Sequence, residues 1–155
     1  MNVEKILFPT DFSPPSEAAL ALASSLARER CAMLYIIHIE DNPAPYGPGL
    51  YGQVPSPVAV DGHRLARTLP TATEVTFQHD LLLGNPAQEI VRFAREKQID
   101  LIVMGSHGRT GLKRALAGSV AEAVMRQTTV PVLTVNSSAQ QLAESISRPR
   151  SDTAI

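Results

Sequence analysis

Five short apolar runs punctuate this chain, and four segments with helical spacing lie between them. The runs are Val3–Phe8, Met33–Ile39, Thr73–Asp80 continuing into Leu81–Leu83, Leu101–Met104 and Pro131–Val135. Most are continuously apolar, which marks strands buried on both faces. Ser13-Pro14 reads as a helix start, and Ala19, Leu22, Ala23, Leu26 and Ala27 recur at helical spacing up to Arg30. Residues 58–69 are compatible with a short helix, which Gly62 disfavours. Asn85-Pro86-Ala87-Gln88 opens a helix to about Gln98, and Ser119-Val-Ala-Glu122 opens one to about Gln127, both as capping boxes. Strict βαβαβαβαβ alternation predicts an α/β fold, a parallel sheet covered by helices on both faces in three layers.

The chain ends of such a sheet define where a ligand binds. Ligands sit beyond the carboxyl ends of the strands, near the point where strand order reverses. Asp11 follows the first strand, Ile39 ends the second and Gly105 follows the fourth, so three candidate segments emerge at one edge. The seventeen residues Asp41–Pro57 hold five prolines and three glycines and read as a long loop, a flap over a ligand or a disordered segment. Residues 137–155 are polar and read as a C-terminal tail outside a domain spanning 1–136.

The stretch after the fourth strand is the most chemically suggestive. Gly105-Ser-His-Gly108-Arg-Thr-Gly111 leads through Lys113 and Arg114 to Gly118-Ser119-Val120 at the start of the last helix. Glycine admits positive φ and close approach to the main chain. A helix N-terminus adds unpaired N–H groups and a positive dipole end. This combination suits phosphate. The spacing is neither the Gly-x-Gly-x-x-Gly of dinucleotide folds nor a Walker A loop, since Lys113 is followed by Arg114. The same glycines equally serve a tight strand-to-helix turn, and Ser119 equally serves as a helix cap answered by Glu122. Asp11 suits a ribose hydroxyl or a metal held through water, and equally a turn residue or an Asx cap of the following helix.

Composition closes off other classes. The formal net charge is −1, with no Trp, which offers neither a basic face nor a stacking platform for nucleic acid. No apolar run approaches the roughly 20 residues of a membrane span. The N-terminal residues lack the pattern of a signal peptide, and one cysteine precludes an internal disulfide, so a cytoplasmic protein is expected. His38, His63, His79 and His107 show no metal-ligand spacing, and His38 reads as structural. Cys31 reads as a small apolar residue. No nucleophile elbow or carboxylate pair is placed for catalysis, so no catalytic residue is assigned.

Taken together, Gly105-x2-Gly108-x9-Gly118-Ser119 resembles the ATP-binding loop of universal stress proteins. Lys5-Ile-Leu-Phe-Pro-Thr-Asp11-Phe-Ser13, Ile36-Ile-His-Ile39, Gly84-Asn-Pro-Ala-Gln-Glu-Ile90, Asp100-Leu-Ile-Val-Met-Gly-Ser-His-Gly108 and Pro131-Val-Leu-Thr-Val135 resemble the family's other segments, in order. The resemblance implies a Rossmann-like five-stranded parallel sheet in the order 3-2-1-4-5. It implies that Asp11 contacts the ribose or a phosphate-bound Mg, that the Ile39 backbone reads the adenine edge and that Pro9 lines the pocket. Gly105, Ser106, His107, Gly108, Arg109, Thr110 and Gly111 would wrap the phosphates, and Gly118, Ser119 and Val120 would complete the cradle. It further implies ATP, ADP or AMP as ligand, a homodimer through strand 130–135 and a regulatory protein partner. The segment 41–57 and the tail depart from the family pattern.

Three functions follow from this reading. The first is a nucleotide-binding regulatory module of the stress response. The second is a slow Mg-dependent ATPase or phosphotransferase. The third is an interaction protein with an unused pocket. A cyclic nucleotide is also compatible, because loop spacing does not count phosphates.

Overall fold

The computed structural model describes residues 2–40, 57–106 and 118–136. Nine elements follow one another: β1 (Lys5–Pro9), α1 (Pro14–Arg30), β2 (Met33–Glu40), α2 (Pro57–Arg67), β3 (Phe77–Leu83), α3 (Pro86–Glu96), β4 (Leu101–Gly105), α4 (Ser119–Gln127) and β5 (Val132–Val135). The strands form one parallel sheet in the order β3-β2-β1-β4-β5, the order implied by the resemblance.

The layers follow from that order. A crossover between parallel strands is right-handed. Moving from β1 through β2 to β3 therefore places α1 and α2 on one face. The jump back past β1 to β4, and on to β5, places α3 and α4 on the other. Side chains divide accordingly, because successive residues of a strand point to opposite faces. Ile6, Phe8, Leu34, Ile36 and Val103 pack with Ala19, Ala23 and Leu65 of α1 and α2. Leu7, Ile37, Ile39, Ile102 and Met104 pack with Ile90, Phe93, Ala121 and Val124 of α3 and α4. Ile6, Leu7, Ile36, Ile37, Ile102 and Val103 are fully buried, each stabilising the fold by about 1.5–3 kcal/mol relative to exposure.

Local chemistry sets the boundaries. Asn85 caps α3, its side chain accepting from the Gln88 N–H at 3.2 Å, as the capping-box reading expects. The expected cap at Ser119 shifts by one residue: Gly118 is the N-cap of α4 and Ser119 is its first helical residue. Glu122 pairs instead with Arg126 one turn on. β3 begins at Phe77, four residues later than the alternation suggested, because Glu74 lies in a turn at φ 62°. β5 spans Val132–Val135, so Pro131 precedes the strand. Cys31 is not a buried packing residue. It is exposed and ends α1 in the left-handed conformation at φ 53°. The body of the 41–57 segment and the tail beyond Asn136 lie outside the described residues, and Pro57 itself opens α2.

Candidate functional site

Strand order reverses between β1 and β4, both of which pair with other strands on their far sides. The candidate residues converge on the carboxyl ends of these two strands. Pro9 ends β1, aligned with Ile37 of β2, and the Thr10 N–H donates to the Ile37 carbonyl at 2.8 Å. The chain then turns through Asp11. The Asp11 Oδ1 atom accepts from the Ser13 N–H at 3.0 Å and from the Ser13 hydroxyl at 2.5 Å. Phe12 between them takes the left-handed conformation at φ 61°. The Asx reading of Asp11 is thus realised, and it aims the carboxylate from a fixed turn. Ile39 is buried near the end of β2, on the face that packs against α3 and α4.

On the other side of the reversal, Ser106 is the hub. It is buried, and its N–H donates to the Val135 carbonyl at 2.8 Å. Its carbonyl accepts from the Gly118 N–H. One residue therefore ties the ends of β4 and β5 to the start of α4. Residues 107–117 separate the bond's two partners in sequence. His107, Gly108, Arg109, Thr110 and Gly111 fall within them and lie outside the described residues. The structure joins Gly105 and Ser106 at the end of β4 to Gly118, Ser119 and Val120 at the start of α4, and places Pro9 and Asp11 at the end of the neighbouring strand β1.

The start of α4 carries the electrostatics. The first N–H groups of any helix lack intrahelical acceptors. Among the described residues no side chain caps them, because Gly118 offers none and Glu122 faces Arg126. Ser119 is exposed and Val120 half-buried. An N-terminus that no described side chain caps, with its positive dipole end, lies beside the end of β4, an arrangement suited to an anion.

Gly105 has a reason of its own to be glycine. A Cβ there would stand 3.0 Å from the Pro15 carbonyl carbon and 3.0 Å from the Ser16 nitrogen. The first turn of α1 thus packs directly on the end of β4. A separate cleft of about 280 Å³ opens beyond β1 on the α1–α2 side, lined by Phe8, Thr10, Phe12, Glu17, Arg64 and Arg67 among others. It contains none of the residues expected from the sequence. Its Arg64 guanidinium lies 4.2 Å from the centre of the Phe12 ring. No spacing in the sequence announces that pair, since the two residues sit on different elements.

Comparison with known proteins bears on this site. The family model described as Universal stress protein family matches residues 2–136. Universal stress protein MJ0531 of Methanocaldococcus jannaschii is 38% identical over 138 residues, covering 85% of this chain and 81% of that protein. Among solved structures, the universal stress protein UspA of Lactobacillus plantarum superposes with a TM-score of 0.70 at 25% identity, covering 87% of this chain and 99% of that one. A universal stress protein in complex with cAMP superposes with a TM-score of 0.65 at 26% identity, covering 88% and 99%.

Proposed function

This chain belongs to the universal stress protein family, and from that premise we propose that it is an adenine-nucleotide-binding regulatory module. The observation that carries the proposal is the start of α4, which no described side chain caps and which the Ser106–Gly118 bond ties to the end of β4 beside the reversal of the sheet. The phosphate group would sit against the Ser119 and Val120 N–H groups, with Gly105, Ser106 and residues 107–111 completing the wrap. Asp11 would meet the ribose or a phosphate-bound Mg from its Asx turn. Pro9 and the Ile39 backbone would line the adenine. The related structure that holds cAMP supports an adenine nucleotide as the ligand class, and ATP is the form that the family resemblance implies. Residues 1–136 form the functional domain in this reading, with 137–155 as a tail, in a cytoplasmic protein.

Isothermal titration of the purified chain with ATP, ADP, AMP and cAMP tests the reading. At least one of these binds with one site per chain. Asp11→Asn keeps an acceptor for Ser13 but removes the charge. It weakens that binding by at least about tenfold, the scale of one charged hydrogen bond. No binding of any of the four at millimolar concentration overturns the proposal.

We also propose that two copies pair through the strand at 130–135. Its described part, β5, is the sheet edge and exposes Leu133, with Met125 of α4 also exposed. An apolar edge of this kind is ordinarily paired or covered. Sedimentation equilibrium of the wild type gives a dimer, and Leu133→Arg gives a monomer. A wild type that stays monomeric at high concentration removes this part of the proposal.

A further inference from the structure

The carboxyl end of β2 carries a second polar cluster, separate from the nucleotide reading. His38 and Glu40 stand two apart on the strand, so both side chains point to the α2 face. Asp61 meets them from α2. One ligand atom from each of the three lies within 4.8 Å of the others. His38 and Glu40 are buried, and Asp61 is half-buried.

The hydrogen bonds fix what each atom can do. The His38 Nδ1 atom lies 2.7 Å from the Thr10 carbonyl oxygen. A carbonyl only accepts, so Nδ1 carries the proton. In the neutral ring Nε2 therefore presents a lone pair. It faces the Asp61 Oδ2 atom at 3.5 Å. Two acceptors aimed at each other need a positive charge between them. The other Asp61 oxygen, Oδ1, is 3.6 Å from Arg64 Nη1, which leaves Oδ2 as the atom turned toward the histidine.

Glu40 supplies the independent observation. Its residue is 8% exposed, and its buried Oε1 atom has no hydrogen-bond partner among the described residues. A carboxylate oxygen buried without a partner is costly, and coordination of a metal ion is one way to offset that cost.

We propose that His38 Nε2, Glu40 and Asp61 Oδ2 bind a borderline divalent metal of the Zn²⁺ or Co²⁺ type. One imidazole with two carboxylates is a donor set that suits such ions, and Mg²⁺ prefers oxygen alone. The 3.5 Å between Nε2 and Oδ2 is close to the separation of about 3.3 Å that two ligands reach when each bonds one tetrahedral ion at about 2.0 Å. The Thr10 carbonyl plays the orienting part that backbone carbonyls play behind metal-bound histidines. Closure of Glu40 onto the ion completes three protein ligands and leaves a position for water. The metal would fasten the start of α2 to the end of β2 and, through His38, to the turn after β1.

The test uses the full chain freed of metal and nucleotide, in buffer without phosphate. Zn²⁺ is retained at one equivalent per chain after gel filtration and raises the melting temperature with its concentration. Co²⁺ gives the visible d–d absorption of a low-coordinate site, and excess Mg²⁺ displaces neither ion. Glu40→Gln and Asp61→Asn each weaken Zn²⁺ binding at least about tenfold, while the control His63→Gln, at an exposed position, binds as the wild type does. Nitrogen-15 spectra of the wild type provide a readout that needs no variant: Zn²⁺ moves the His38 Nε2 resonance and leaves Nδ1 protonated. The proposal is overturned if Zn²⁺ is not retained, if the Glu40→Gln, Asp61→Asn double variant binds like the wild type, or if Zn²⁺ leaves the His38 resonances in place.

Discussion

Gly118→Val is expected to abolish adenine-nucleotide binding while leaving the chain folded. The backbone at Gly118 has φ −64° and ψ 159°, an extended conformation that valine adopts readily. Its N–H still reaches the Ser106 carbonyl, so the tie between β4 and α4 survives. What valine adds is a branched side chain beside the Ser119 and Val120 N–H groups, which no described side chain caps. A phosphate seated on those groups loses its close approach to the main chain. The expected loss exceeds a hundredfold in affinity, about 3 kcal/mol. Titration of the variant measures it, and urea unfolding confirms the fold. Wild-type affinity in a folded Gly118→Val chain counts directly against the phosphate seat.

Gly105→Ala is expected to fail in the opposite manner, by loss of stability. The added methyl would stand 3.0 Å from two backbone atoms of α1 and 3.2 Å from the Pro15 Cβ. Backbone of a packed helix cannot step aside as a flexible side chain can. Either α1 shifts off the sheet or the end of β4 bends. Overpacking of this kind costs about 1–3 kcal/mol, read as a lower urea midpoint at unchanged slope. A midpoint equal to that of the wild type shows that α1 can move without penalty. The two variants therefore separate two roles. Gly105 makes room for another part of the protein, and loss of binding in Gly118→Val would assign Gly118 to the ligand.

Much of this was legible in the sequence. The apolar runs around Ile6, Ile36 and Val103 mark strands buried on both sides, because only such strands omit the polar alternation. The helix starts at Pro14 and Pro86 carry their own signals, proline in the first turn and, at Asn85, a capping side chain. Other points were not legible. Thr73 to Val75 alternates as a strand would, but Glu74 sits in a turn, since local pattern does not record where the neighbouring strand ends. Ser119 has the chemistry of a cap, and Gly118 has the position. The choice is made by the Ser106 carbonyl, which claims the Gly118 N–H and fixes where the helix can begin. The cluster of His38, Glu40 and Asp61 has half a signal, the i, i+2 pair on β2. Its third member belongs to another element.

By itself the sequence determined the alternation of strands and helices, hence the parallel sheet and its helical layers. It also determined which chain ends could face a ligand. These are properties of short segments, and short segments are governed by periodicity, turn residues and burial. Tertiary structure alone decided which side chain or carbonyl meets each of those ends. It set Asp11 in its turn against Ser13, pressed α1 onto Gly105, and tied the start of α4 to Ser106. It also turned His38 toward Asp61 across the gap between a strand and a helix. Such meetings depend on distances in space between residues far apart in the chain, and no local pattern encodes them.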